Sequence, residues 1–286
     1  MSQSSTLRDA LCDSANLAGA YARYRRHRGL WAPGLPMWQV AAAPVAPMLE
    51  LAEELREGNY RPQLPQSISI AKANGEHREL RVYMIRDRVA QRALLQVLVA
   101  RIDASMSPDS FGYRPGRGVA SALARVQDFL DAGLAWVVDA DIERCFDSIP
   151  RGPLLEEVAR RLGDSAAPEL VSRLLGWQTA QDLEQTGIPQ GAVLSPWLCN
   201  VYLWQLDDSM HDQGAPMVRF ADDFVLLSRS RPLAEELMAH CADVVRKMRL
   251  RLNPLKTAIV HAATPFRFLG QWLSTTPRLN VQPAST

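Results

Sequence analysis

Apolar and polar positions divide the chain into a helical beginning, an extended stretch and a longer alternation of strands with helices. Residues 48–57 are rich in leucine and glutamate and stop at Gly58-Asn59. This predicts a helix closing a mostly helical segment from 1 to about 58, with a Pro- and Trp-bearing loop at 31–47. Residues 67–85 read as extended, and Asn74-Gly75 marks a hairpin turn between a strand at 68–72 and another at 80–84. A helix follows over 87–102. Its apolar residues at 89, 93, 94, 97 and 98 form one stripe, while Arg88 and Arg92, four apart, share another face. The turn Ser110-Phe-Gly-Tyr-Arg-Pro-Gly-Arg117 leads into a helix at 118–131.

The second half predicts a strand (134–142), two short helices (153–162 and 168–177) and a longer helix (195–210). Two strands about 221–223, a helix (232–250) and a strand near 257–261 complete it. With the paired helices set aside, the order is βαββαβ. A split sheet of that kind, in the α+β class, leaves one face free to carry a site while helices cover the other. No internal repeat or low-complexity tract interrupts it.

A chain of 286 residues that is 47% hydrophobic can bury a substantial core. No apolar run approaches the roughly 20 residues needed to cross a bilayer, and the N-terminus lacks the order of a secretory signal. The expectation is a cytoplasmic protein without a membrane partner. Cys12, Cys145, Cys199 and Cys241 form no CxxC pair, and none of the five histidines completes a zinc spacing. They read as reduced structural thiols.

The formal net charge of +1 conceals opposed local fields. Between residues 78 and 117, eight arginines face four acids; between 139 and 147, four acids face one arginine. A basic surface beside an acidic pocket suits a polyanion and the metals that act on it, with solvated helix faces as the alternative. Residues 21–28 mix aromatic and basic side chains, which suits single-stranded nucleic acid or, equally, a solvated helix.

The sharpest chemical signal is Phe220-Ala221-Asp222-Asp223, set between the apolar stretches 217–220 and 224–227. Adjacent carboxylates at a tight reversal repel, and hydrophobic flanks limit screening, so a cation is the natural compensation. A solvent-exposed Asp-Asp turn is the other reading. Asp141 ends the alternating run Trp136-Val-Val-Asp-Ala-Asp-Ile142 and supplies a third acid from a strand end. Hard oxygen ligands without His or Cys favour two Mg²⁺ ions, with Mn²⁺ a substitute, in the clamp used for in-line phosphoryl displacement.

At this point a family resemblance becomes specific. Asp141-Ile-Glu-Arg-Cys-Phe-Asp147, Ile188-Pro-Gln-Gly-Ala-Val-Leu-Ser-Pro196, Phe220-Ala-Asp-Asp223, Leu252-Asn-Pro-Leu-Lys-Thr257 and Phe268-Leu-Gly270 occur in the order of the reverse transcriptases. The wording resembles the group II intron-like branch, and within it the bacterial CRISPR-associated enzymes. Gly58-Asn-Tyr-Arg-Pro62, residues 87–93 and Phe111-Gly-Tyr-Arg-Pro-Gly-Arg117 extend the similarity, so that it covers about 58–272.

The resemblance implies a right-hand polymerase with fingers and palm. It divides the chain into a helical extension (1–58), fingers (59–132), the first palm strand (133–151), a helical insertion (152–185), palm to primer grip (186–275) and a tail (276–286). By the same resemblance Asp141, Ile142, Asp222 and Asp223 hold the metal ions, with Asp139 and Asp147 flanking them. Lys256 stands near the leaving pyrophosphate as a proton donor. Phe146 implies a ring beneath the incoming sugar that excludes a 2′-hydroxyl, or else a plain core residue. Lys72, Arg78, Gln190 and Gly191 are the remaining nucleotide-binding candidates; a guanidinium fork suits phosphate, which favours Arg78. Arg114 and Arg117 imply template contact or a solvated loop. Phe268, Leu269 and Gly270 imply a primer grip, or an apolar strand on the palm.

Phe220 replaces the commoner tyrosine of the family, and the stretch after Arg78 lacks the usual proline. The chain ends about 16 residues after Gly270, so a thumb is expected to be absent and supplied by another protein, by RNA or by self-association. The implied function is RNA-directed DNA synthesis from dNTPs on an RNA template with a DNA or RNA primer. Its setting would be prokaryotic antiviral defence or CRISPR spacer acquisition beside an integrase. A template-independent DNA polymerase and a non-catalytic RNA-binding subunit are the rivals; a two-metal nuclease fits less well.

Overall fold

The computed structural model describes residues 6–71, 75 and 77–275. The chain opens with α1 (Leu7–Leu11) and α2 (Ser14–Ala22), then a short antiparallel pair, β1 (Leu30–Ala32) and β2 (Leu35–Pro36). Helices α3 (Met37–Ala42) and α4 (Val45–Glu57) precede the hairpin β3 (Gln66–Ala71) and β4 (His77–Val82). Next come α5 (Ile85–Ile102), α6 (Val119–Asp131), β5 (Trp136–Asp141) and α7 (Cys145–Ser148). Helices α8 (Arg151–Leu162), α9 (Ala167–Leu175), α10 (Ala180–Glu184) and α11 (Ser195–Asp212) follow. The last elements are β6 (Met217–Phe220), β7 (Asp223–Ser228), α12 (Arg231–Lys247), β8 (Ala258–His261), β9 (Phe266–Phe268) and β10 (Gln271–Leu273).

The loop expected at 31–47 is instead β1, β2, α3 and the start of α4. Its prolines do not break these elements. Gly34 takes φ 75 in the turn, while Pro36 and Pro44 stand immediately before helices, where a missing N–H costs nothing. The chain forms two compact units. The first runs up to Met106 and includes Phe146–Tyr202; the second comprises Ser107–Cys145 and everything from Leu203 onward. Residues 107–132 therefore group with β5 and with the strands from β6 onward.

In the first unit α5 is the spine, packed against α1, α2, α8 and α9. Val89, Ala93, Leu94 and Leu98 are buried along the anticipated stripe. Two polar residues are buried with them, because each has partners. Gln91 donates to the Leu174 carbonyl (3.2 Å) and accepts from the Val193 N–H (2.8 Å). Asp87 accepts from the Tyr60 hydroxyl and from the Gln63 N–H. Burial nevertheless pushes the Asp87 carboxyl up to about 6.

The second unit is built on an antiparallel sheet in the order β6-β7-β5-β8. Register decides which residues share a face. Val137 pairs with Leu227, Asp139 with Val225 and Asp141 with Asp223, so one face carries apolar residues at one end and acids at the other. Val137, Val225 and Leu227 join Ala122, Val126 and Leu130 of α6 and Phe266 and Phe268 of β9 in one buried cluster. The other face presents Val138, Ala140, Phe224 and Leu226, all buried, and α12 packs against β5, β7 and β8. All four cysteines are buried free thiols. Among the described residues no helix is long and apolar enough to cross a membrane.

Candidate active site

Strand ends gather the acids of the second unit. β6 and β7 pair through Phe220 and Asp223, which leaves a two-residue loop of Ala221 and Asp222. Ala221 adopts φ 59, a left-handed conformation that costs a non-glycine residue roughly 1 kcal/mol. Asp223 faces Asp141 across the β5–β7 ladder, and Asp139 lies two residues back on the same side of the sheet. This convergence has an electrostatic signature. Desolvation, then the Asp222 and Asp141 charges, pushes the Asp223 carboxyl up to about 6. Burial and the Asp141 charge raise Asp139 to about 6 as well.

A second segment closes on Asp141 from β8's side. Leu252 bridges Ile142, and the Glu143 N–H donates to the Arg251 carbonyl (2.8 Å). Asn253 donates its main-chain N–H to the Asp141 carbonyl (2.8 Å) and its amide to the Asp141 carboxylate (3.2 Å). The following turn brings the Lys256 ammonium to 3.2 and 3.3 Å from the two Asp141 carboxylate oxygens.

Among the described residues no three His, Cys, Asp or Glu side chains stand close enough to hold an ion as they are. The donor set nevertheless fits a hard divalent cation. It is all carboxylate oxygen, the neighbouring acids help to raise the Asp223 and Asp139 carboxyls, and a lysine ammonium stands beside Asp141. The nitrogen of Lys256 stands in for part of that charge.

The first unit brings together a different group. Arg78 on β4 donates its Nε to the Gln190 side-chain oxygen, and Gln190 donates its amide to Asp147 (2.9 Å). The Gln190 carbonyl accepts from the Arg81 N–H (2.7 Å). Gly191, at φ 107, lies so close to β4 that an added Cβ would sit 2.4 Å from the Arg81 carbonyl oxygen. Glycine is required there by backbone approach as well as by conformation. Phe146 is half-buried, and its carbonyl accepts from the Ile188 N–H (2.8 Å). Lys72 lies outside the described residues.

The remaining candidates have structural partners. Arg114 is 6% exposed and donates to the carbonyls of Ser107 (2.6 Å) and Ser110 (2.8 Å). Arg117 donates to the Pro108 carbonyl and lies over the Phe111 ring. Both arginines hold the 107–111 loop. Phe268 is buried in the sheet's apolar cluster, while Leu269 (φ 47) and Gly270 (φ 80) form the tight turn into β10. Sequence reasoning passed over Asn253, Asp147 as the partner of Gln190, and Arg219. The Asn-Pro pair at 253–254 was the one available signal, since it marks a turn.

The chain is similar to known proteins. Protein YkfC of Escherichia coli (strain K12) is 30% identical over 271 residues, 78% of this chain and 70% of its own length. The group II intron-encoded protein LtrA of Lactococcus lactis subsp. cremoris is 30% identical over 296 aligned positions, 77% of this chain and 48% of LtrA. The chain thus spans about half of that relative. Telomerase from Candida tropicalis superposes with a TM-score of 0.58 at 13% identity, covering 76% of this chain and 44% of that one, which is a likeness of fold. The family described as "Reverse transcriptase (RNA-dependent DNA polymerase)" matches residues 70–273. That span runs from β3 through the β9–β10 hairpin and takes in each of the acids above, and the chain belongs to the reverse transcriptase family.

Proposed function

We propose that the chain is an RNA-directed DNA polymerase that extends a DNA or RNA primer with dNTPs. The observation that carries this reading is the register of Asp141 against Asp223 at adjacent strand ends, with Asp222 in the intervening turn. Asp141, Ile142, Asp222 and Asp223 are the residues that would hold Mg²⁺, or Mn²⁺ in its place. Such ions, when bound, make a primer 3′-hydroxyl a better nucleophile and offset charge on the phosphates.

The chain's own groups do the rest. Asn253 fixes the strand end that carries Asp141. Lys256 is 64% exposed, and is assigned to proton donation at the leaving pyrophosphate. Arg78, held by Gln190, is assigned to the triphosphate, since a guanidinium with a fixed Nε still offers its other N–H groups to phosphate oxygens. Gly191 keeps that loop close to β4. Phe146 is assigned to excluding the 2′-hydroxyl of a ribonucleotide. The family's motif wording supports a setting in antiviral defence or CRISPR spacer acquisition with an integrase partner. A cytoplasmic location is consistent with four unpaired thiols.

Incubation with Mg²⁺, dNTPs and a primer annealed to RNA, to DNA or to nothing tests the reading. RNA-dependent extension supports it. Extension without template favours a template-independent polymerase, and binding of RNA without extension favours a non-catalytic subunit.

A further inference from the structure

Arg219 precedes the acidic turn by two residues and is 1% exposed. Its Nε lies 2.7 Å from one carboxylate oxygen of Asp207 on α11, and one Nη bonds the other oxygen. Its second Nη donates to the Ala221 carbonyl (2.9 Å). That carbonyl belongs to the peptide leading into Asp222. The Arg219 main chain is engaged too. Its N–H donates to the Asp109 carbonyl (2.9 Å), and its own carbonyl accepts from the Phe111 N–H (2.8 Å).

The loop held in this way presses on the turn from another direction. Gly112 approaches so closely that an added Cβ would lie 2.4 Å from the Ala221 nitrogen and 3.0 Å from the Phe220 carbonyl carbon. Ala221, in its unfavourable left-handed conformation, is therefore held at its carbonyl by a guanidinium and packed at its nitrogen against Gly112.

A buried ion pair is weak evidence for stability, because desolvation offsets most of its Coulombic gain and apolar replacements are often as stable. Its usefulness lies in direction. A bidentate guanidinium fork has one orientation, and its third N–H then fixes the peptide it touches. We propose that Arg219, fixed by Asp207, is a positioning residue that aims the Ala221–Asp222 peptide and so sets where the Asp222 and Asp223 carboxylates point. This rests on the reading that those carboxylates hold divalent ions. It adds a residue that never touches an ion yet determines whether the acids can converge on one.

Mn²⁺ binding to the full chain without nucleic acid, followed by water-proton relaxation, provides the test, with thermal unfolding and hydrogen exchange at 220–224 recorded in parallel. The variants are Arg219→Lys, Arg219→Met, Asp207→Asn and Gly112→Ala. Gly112→Ala displaces the same turn and leaves the ion pair untouched, so it keeps the test valid if the Arg219 variants fail to fold. Folded variants should bind Mn²⁺ at least about tenfold more weakly than wild type, with exchange at 220–224 at least about tenfold faster. Arg219→Lys, which keeps charge and loses the fork, should be impaired rather than rescued. Folded Asp207→Asn and Gly112→Ala proteins with wild-type Mn²⁺ affinity would overturn the positioning role and leave the polymerase reading standing. Wild type that binds Mn²⁺ no better than an Asp222→Ala/Asp223→Ala protein would end both.

Discussion

The ammonium of Lys256 rests against the Asp141 carboxylate, 3.2 Å from one oxygen and 3.3 Å from the other. The lysine is largely exposed, so the pair contributes little to stability. An ammonium that releases Asp141 to a divalent ion becomes free to act elsewhere. Lys256→Ala should lower single-turnover nucleotide addition about 10²-fold, the usual scale of a lost general acid. The Mg²⁺ concentration for half-maximal rate should stay the same or fall, because a competitor for Asp141 has gone. A titration of extension rate against Mg²⁺ for both proteins reads the two effects separately. An unchanged rate would remove Lys256 from the chemistry.

Phe146 is half-buried and flanked by main-chain bonding through its carbonyl, so its ring can be shortened without removing that bond. Phe146→Ala should raise the use of rATP relative to dATP, measured as the ratio of kcat/KM values, by at least about tenfold. A ratio that stays at the wild-type value while the protein remains folded would leave Phe146 as a core residue.

Gly191 offers a steric test. A Cβ at 2.4 Å from the Arg81 carbonyl oxygen forces the loop and β4 apart, and φ 107 strains any side chain at that position. Gly191→Ala should raise the KM for dNTP about tenfold or more, because Arg78 and Gln190 sit on the two segments being separated. The β3–β4 strands are mostly solvent-exposed, so the fall in Tm should be confined to a few degrees. Steady-state kinetics with a calorimetric scan distinguishes this from global unfolding.

Asp87 gives the fold a pH dependence of known sign. Its carboxyl titrates at about 6 in the folded chain, above the ordinary value of 3.8, because burial disfavours its charge. The folded state therefore holds the proton more tightly than the unfolded state. The stabilisation is fully present below about pH 4 and is lost as pH rises through 6, by about 3 kcal/mol at most. Asp87→Asn keeps one acceptor oxygen and has no carboxyl to titrate, so it should lack this loss. Urea unfolding from pH 4 to 7 should show wild type weakening relative to the variant as pH rises; parallel curves would contradict the assignment.

Much of the palm was legible because its signals are local. Alternation into Asp141, an acid pair between apolar strands, and the helix after Ser230 each follow from spacing within a few residues, and β5, β6, β7, α12 and β8 form where expected. The α5 stripe was legible for the same reason. What the sequence hid depends on contacts between distant segments. Arg219 looks like an ordinary strand residue until Asp207, twelve positions earlier, is seen to face it. The burial of Asp87 and Gln91 becomes intelligible only when Tyr60, Leu174 and Val193 supply their partners. Nothing in the sequence shows that the carbonyls of Ser107 and Ser110 turn back toward Arg114. Prolines near 31–47 suggested a loop, since a proline before a helix and one inside a loop look alike without the backbone.

The most direct test of the central claim is dNTP incorporation on a primed RNA template, comparing wild type with Asp222→Ala/Asp223→Ala at saturating Mg²⁺. The expected result is Mg²⁺-dependent, template-directed extension by wild type and a loss of at least about 10³-fold in the variant, with its thermal unfolding little changed. Equal extension by the two proteins, or none by a folded and RNA-binding wild type, would contradict it.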